Sequence, residues 1–539
     1  MTNATALIKR LGELKSERQP HESTWDECYR FGCPERVQSF GGGIGGTEDR
    51  KKARADLVDS TATGSVQLLV SSIMSGATPP NSLWFAITPD GKDPDETTQD
   101  EGERWLDGTA NFIWRNIHAS NFDAEAFEAT TDGVVAGWLA LYIDTDRDNG
   151  GYVFDAWPLS SCWIASSRAD GRIDTIYREH QLTAAQCIDK YGDAVSERVQ
   201  KLYEKSPDAK VTILHVIEPR PAPHGVIDKK LPFASYHIET EGKHLLKESG
   251  YHEFPCAVAR WRRIPNSVYA EGQMSVALPD AKTANRLATQ TLQHGDMAIG
   301  GMWIAEDDGV LNPATIRIGA RRVIVANSVD SIKPLTSGMN FEVAEWMLKS
   351  VQAAIRRNLM SDQLQMQDGP QMTATEVNVR VDLIRQQLGP VYGRWQSEYL
   401  VPLLERCFGL ALRAGQLGEP PESLMGRDLQ IKFQSPLARS QRLEEVVSIE
   451  RFSAGVAQMA QANPDILDNI DFDAATQLYG KGLGVPAAVM RTSDGLKDYR
   501  EQKAQATQQA QQQQQQMALQ QKAGEAAIDT TAKTAMGAA

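Results

Sequence analysis

The sequence predicts a mainly helical α+β protein. Apolar residues recur every three or four positions over long stretches, as at Leu7, Leu11 and Leu14 and again at Phe341, Ala344, Leu348, Val351, Ile355 and Leu359. Roughly residues 80–265 hold short runs that alternate apolar and polar, the period of half-buried strands. The chain has 539 residues, 41% hydrophobic and 23% charged, the balance of a soluble globular protein with ample length for a core.

Taken in order, residues 5–31 read as a helix with Leu7, Leu11, Leu14 and Arg18 on one side and Trp25 and Tyr29 beyond. A glycine-rich loop follows at 41–46. Residues 52–76 read as a second helix, stopped at Gly76 with Pro79 and Pro80 after it. Residues 81–89 are strand-like. An acidic loop then runs into a helix carrying Trp105, Phe112, Ile113 and Ile117. Residues 127–143 are apolar and partly helical, and strands follow to about 262. Residues 269–297 return to helix, with Ala284, Leu287, Ala288, Thr291 and Leu292 as a stripe of mostly small residues. The run 316–325 reads as a hairpin turning at Gly319 and Ala320. Residues 341–360 form a helix with its acids first and its bases last, as the helix dipole favours. Beside its apolar stripe runs a wet one: Glu342, Glu345, Lys349, Gln352 and Arg356.

Thr373 and Glu376 form a capping box. The helix it opens is interrupted at Gly389–Pro390, resumes, and stops at Gly415, one long kinked element. Residues 437–500 are helical in short pieces, split near Pro464 and between 480 and 486. Residues 501–539 are rich in Gln and Ala and cannot supply a core.

Charge and motifs narrow the function. A net charge of −14 argues against gripping nucleic acid through bulk attraction. No window is apolar enough for a membrane span, and the N-terminus lacks a signal peptide's core. The six cysteines, Cys28, Cys33, Cys162, Cys187, Cys256 and Cys407, are scattered and form no CxxC pair, as in a reducing compartment. The run 41–46 contains GxGxxG, but VQSF before it and TEDRKK after it are not the strand and helix start that a dinucleotide site needs. There is no HExxH, GxSxG or GxxxxGK[ST]. Neither a metal nor another cofactor is expected, and any ATP-driven step falls to a partner.

Four segments then carry a resemblance: TATGSVQLLVSSIMSGATPPNSLWFAITP at 61–89, FEATTDGVVAGWLALYID at 127–144, FPCAVARWRRIPNSVYAEGQMSVALPDAKTANRL at 254–287, and MTATEVNVRVDLIRQQLGPVYGRWQSEYLVPLLERCF at 372–408. In this order and spacing the chain, over roughly 5–500, resembles the portal or head-to-tail connector proteins of short-tailed phages. The resemblance implies a portal fold with wing, stem, clip and crown regions around a central channel. Residues 1–265 would form the wing, 266–298 and 339–360 the stem helices, and 299–338 the clip. Residues 361–372 would be the tunnel loop and 373–436 the long kinked wing helix with its following segment. Residues 437–500 would be crown helices, ahead of the 501–539 tail.

The function so implied is non-enzymatic: a self-assembled ring, twelve-fold in the family, that passes double-stranded DNA at one capsid vertex during packaging, retention and ejection. Its partners would be the large terminase, a tail adaptor, and the major capsid and scaffolding proteins, with assembly in the host cytoplasm and a final place in the virion. Rotation would turn Lys349, Gln352 and Arg356 into channel-lining rings, or pair the cations with Glu342 or Glu345 of a neighbour. Gln363, Gln365, Gln367 and Asp368 make a polar loop with few cations, suited to weak contacts with moving DNA. Arg317, Arg321 and Arg322 would offer a docking patch on the clip, or a solvated strand face. The rival readings are an enzyme of nucleotide or nucleic-acid metabolism, or an internal virion protein ejected with the genome.

Overall fold

The computed structural model describes residues 4–38, 40, 47–89, 96–146, 150–220, 231–300, 302–305, 332–335, 341–364, 389, 391–424, 429–433, 448, 450–456, 458, 472, 475–476, 479–480, 495–509 and 513. Contacts gather the chain into two units, Met1–Trp84 with Ile113–Gln416, and Phe85–Phe112 with Leu417–Ala539.

The first unit opens with α1 (Ala4–Gly32), whose stripe is buried at Leu11, Leu14, Arg18, Trp25 and Tyr29. Arg18 is tolerated inside because its guanidinium donates to the carbonyls of Leu159, Ser160 and Cys162 at 3.0, 2.9 and 2.8 Å and stacks 4.3 Å from the Trp163 ring. The next expected helix is in fact two, α2 (Thr47–Asp56) and α3 (Thr61–Ala77), parted by a non-helical link at 57–60. The apolar stretch after α4 (Glu96–Ala119) divides as well. Its helix, α5 (Phe122–Val135), ends before β2 (Trp138–Thr145). Gly137 makes the corner at φ 95°, where a Cβ would lie 2.4 Å from the Glu271 carbonyl carbon.

Two antiparallel sheets form the body. β2 lies between β3 (Tyr152–Ala156) and β9 (Cys256–Arg260). The larger sheet runs in the order β4 (Cys162–Ala165), β5 (Thr175–Thr183), β6 (Lys210–Pro219), β7 (Phe233–Glu239) and β8 (His244–Tyr251). One face packs Trp163, Tyr177, Leu214 and Ile238 against Leu11 and Leu14 of α1. The other packs Ile213 and Leu246 against α6 (Ala184–Tyr191) and α7 (Glu197–Lys205). These two short helices are absent from the sequence reading. α6 nevertheless carries a capping box: Gln186 N donates to Thr183 Oγ1 at 3.2 Å, and Thr183 N to Gln186 Oε1 at 2.9 Å.

A short ribbon, β10 (Arg262–Arg263) with β11 (Ala270–Glu271), leads to α8 (Gln273–Gly300), β12 (Met302–Ala305), β13 (Ile332–Leu335), α9 (Phe341–Asn358) and α10 (Ser361–Leu364). A final helical run in this unit covers 391–413. It is not uniform, because Gln396–Leu400 form one π-turn before α11 (Val401–Arg413). Pro402 has no N–H for the regular ladder, which accounts for the irregularity. The capping box at 373–376 and Pro390 of the expected interruption lie outside the described residues. The stop at Gly415 is as read: its N–H donates to Leu412 O at 3.0 Å and that of Gln416 to Ala411 O at 3.1 Å, a Schellman closure with φ 68°.

In the second unit β1 (Phe85–Pro89) pairs antiparallel with β14 (Leu429–Phe433), and Trp105 Nε1 donates to Leu417 O at 3.0 Å. Residues 450–456 and 495–509 are helical. The sequence breaks near Pro464 and at 480–486 fall largely outside the described residues.

Candidate functional site

α8 and α9 form an antiparallel helical hairpin closed at its far end by β12 and β13, paired from Met302↔Leu335 to Ala305↔Ile332. With 28 residues, α8 is about 42 Å long. Its root is fixed by close backbone approach, since a Cβ on Gly272 would lie 2.4 Å from the Val134 carbonyl oxygen. Gln273 receives a hydrogen bond from Trp261 Nε1 at 3.2 Å and donates to the Asn358 carbonyl at 2.6 Å. Asn358 Nδ2 in turn reaches Asp280 at 2.9 Å. The first turn of α8 is thereby tied to the last of α9.

Most of the apolar stripe of α9 packs within the chain. Ile355 and Leu359 are fully buried, Leu348 and Val351 half-buried, and the helix lies against α8 and α3. Water is left on a different face. Trp346, on the side of α9 opposite the stripe, is 71% exposed, with Val343 and Met347 near it; Phe341, at the start of the stripe, and Leu292 on α8 are exposed as well. Sequence reasoning missed this second face, although Trp346 and Met347 lie off the buried stripe.

The link between α2 and α3 bridges both arms of the hairpin. Asn285 Oδ1 accepts from the backbone N–H of Val58 at 2.7 Å and of Asp59 at 3.0 Å, and its Nδ2 donates to Asp56 O at 3.0 Å. Asp59 then accepts from the Thr61 N–H at 3.1 Å through Oδ1 and from Gln352 Nε2 at 2.6 Å through Oδ2. Neither Asn285 nor Asp59 carries a signal in the sequence. Their importance exists only once α2, α3, α8 and α9 are assembled.

Of the residues expected to line a channel, Gln352 is thus engaged with Asp59. Lys349 is exposed and pairs with Glu345 of its own helix at 2.6 Å, a contact that lowers the Glu345 carboxyl below its usual range. Arg356 is half-buried, and its carbonyl lies 3.3 Å from Ser361 Oγ. The expected loop at 361–372 begins as α10. Ser361 is buried, with its hydroxyl donating to Ser65 Oγ of α3 at 2.8 Å, and Asp362 is exposed. Gln363 lies within α10. Gln365, Gln367 and Asp368 lie outside the described residues, as do Arg317, Arg321 and Arg322.

Among the described residues no His, Cys, Asp or Glu cluster has a metal-binding arrangement, and no helix is long and apolar enough to cross a membrane. All six cysteines are buried and unbridged; burial pushes the Cys28 thiol up to about 12 and the Cys162 thiol to about 11.

Residues 4–490 match the family described as bacteriophage head to tail connecting protein. A probable portal protein of Bordetella phage BPP-1 is 27% identical over 545 residues, spanning 94% of this chain and 93% of that one. The portal protein of Salmonella phage epsilon15 is 27% identical over 523 residues, spanning 94% and 92%.

Proposed function

Because the chain belongs to the bacteriophage head to tail connecting proteins, we propose that it is the repeating subunit of a ring set at one capsid vertex. The ring passes double-stranded DNA during packaging, retention and ejection. It docks the large terminase and then the tail adaptor, and it is built into the head with the major capsid and scaffolding proteins. The chain itself needs no catalytic step for this role.

The observation that carries the reading is the apolar surface that the hairpin leaves exposed. A single chain leaves Trp346, Phe341, Met347 and Leu292 to water, a surface that invites a partner. In a closed ring that partner is the next copy of the same chain. The hairpin is the stem in this reading, with β12 and β13 leading into the clip and its Arg317, Arg321 and Arg322. Residues after α10 face the channel with Lys349 and Arg356 near them. Twelve copies carry a net charge of about −170, so DNA would travel through a mostly repulsive surround past local cationic rings.

Negative-stain electron microscopy of the purified protein tests the proposal. Annuli with a central hole are expected. A stable monomer at micromolar concentration, confirmed by light scattering, refutes it.

A further inference from the structure

Residues 358–364 contain neither glycine nor proline, yet α9 does not run on into α10. The chain turns at Met360, whose φ is 56°. The other described non-glycine residues with positive φ are Asn266, a residue type that tolerates the region, and Lys243, in the turn between β7 and β8. A helix that must stop in this conformation ordinarily has glycine there. For a residue with a Cβ the left-handed region is disfavoured by a factor of about ten.

The neighbours hold Met360 in place. Leu359 and Ser361 are both fully buried. Asn358 is tied to Gln273 and Asp280 through its carbonyl and side chain, and Met360 N donates to Arg357 O at 3.0 Å. On the far side the Ser361 hydroxyl donates to Ser65 Oγ, beside the Arg356 carbonyl. Strain at Met360, with α10 beyond it lying against α3 and α9 and held through the Ser361 hydroxyl, describes a joint with two states.

We propose that Met360 is the pivot of such an elbow. In the kinked state Ser361 is latched onto Ser65. In the straight state Met360 takes the right-handed conformation, α9 continues through Leu364 as one helix, and Ser361 leaves Ser65. The elbow sets the direction in which the chain beyond Leu364 departs from α9. Its regulatory meaning rests on the proposed reading, in which that chain faces DNA.

Alkylation of a thiol introduced by Ser361→Cys in the full-length protein measures the straight state, because this position is buried when kinked. The native Cys256 thiol, fully buried in β9, reports global unfolding in the same sample. The introduced thiol should react faster than Cys256. Adding Met360→Gly, which relieves the kinked state, should slow it about tenfold. Adding Met360→Val, which disfavours the kink further, should accelerate it. Amide hydrogen exchange across 359–364 should follow the same order in chains that keep Ser361, with Met360→Gly compared against the parent if Met360→Val does not fold. Equal reactivity of the two thiols in every background, with exchange unchanged by Met360→Gly, overturns the elbow. Loss of annuli instead refutes the ring and leaves the thiol result standing.

Discussion

Arg260 holds Glu398 with a bidentate grip: Nε donates to Oε2 at 3.0 Å and one terminal nitrogen to Oε1 at 2.6 Å. The Arg260 backbone N–H adds a third bond to the same carboxylate at 3.1 Å. Glu398 sits in the π-turn at Gln396–Leu400, and Arg260 ends β9. The pair therefore docks the irregular part of the last long helix onto the buried edge of the smaller sheet. Trp261 and Trp395 pack edge to face beside it, with ring centroids 5.9 Å apart.

Glu398→Ala should destabilise the protein by about 3–5 kcal/mol, since it strands a guanidinium that is almost wholly buried. Replacing both partners, as Arg260→Met with Glu398→Leu, should cost less than Glu398→Ala alone. Urea unfolding of the variants measures this. A double variant weaker than Glu398→Ala would show that the π-turn itself requires the ion pair.

The two faces of α9 should separate folding from assembly. Ile355→Asp places a charge in a fully buried site against α8 and α3, so it should unfold the chain or lower its melting temperature strongly. Trp346→Asp changes an exposed residue, so the melting temperature of dissociated subunits should move by less than about 0.5 kcal/mol in equivalent stability. Light scattering should nevertheless show rings giving way to smaller species. Rings unaffected by Trp346→Asp would move the subunit contact elsewhere on the hairpin.

Acid should loosen the larger sheet through its histidines. His215 and His237 stack at 4.1 Å between centroids, with Tyr191 Oη 3.0 Å from His237 Nδ1 and Ser235 Oγ 3.0 Å from His215 Nε2. Burial, with Arg178, Lys190 and Lys247 nearby, lowers His180 to about 4 and His237 to about 3, and lowers His215 well below 6.5. Each group takes up its proton more readily in the unfolded chain. Their stabilisation is thus complete above pH 6.5 and is lost as pH falls through the folded values. Melting temperature should fall across that window, and His215→Gln with His237→Gln should flatten the slope. An unchanged slope would assign the acid response to carboxylates.

How much of this was legible depends on whether the cause was local. The α1 stripe, the strand alternation of β6 and β7, and the Gly415 stop were readable because each is fixed by neighbours in sequence. The break between α2 and α3 was not, because Asn285, far along the chain, satisfies the backbone at 58 and 59. The pairing of β1 with β14 was hidden for the same reason. The capping box at Thr183 could have been read, but β5 runs straight into it and masks the change of period. At the candidate site the period of α9 marked Ile355 and Leu359 as buried. A stripe in periodicity marks what is buried without saying against which chain.

Changing Arg317, Arg321 and Arg322 together to Ala should leave annuli intact and weaken attachment of the tail adaptor or the terminase, measured by co-sedimentation with each. Undiminished binding of both would return the three arginines to a solvated strand face.

A deletion across 363–367 would cut into α10, whose first residue is buried against Ser65 of α3. Its effect on assembly would then be mixed with any effect on DNA. A deletion of 365–368 instead begins beyond the last residue of α10 and removes Gln365, Gln367 and Asp368 while leaving Ser361 on Ser65. Such a variant should form rings and begin packaging, because the hairpin, its Asn285–Asp59 bridge and the exposed Trp346 face are untouched. Filled heads should then lose DNA, as nuclease-protected genome falling with time after packaging stops. Ser361→Asp serves as the contrast: a charge forced against Ser65 should disturb α3 and α9 together and reduce ring yield before any DNA is involved. Heads that hold DNA as well as the parent after the 365–368 deletion would refute a retaining role for the loop.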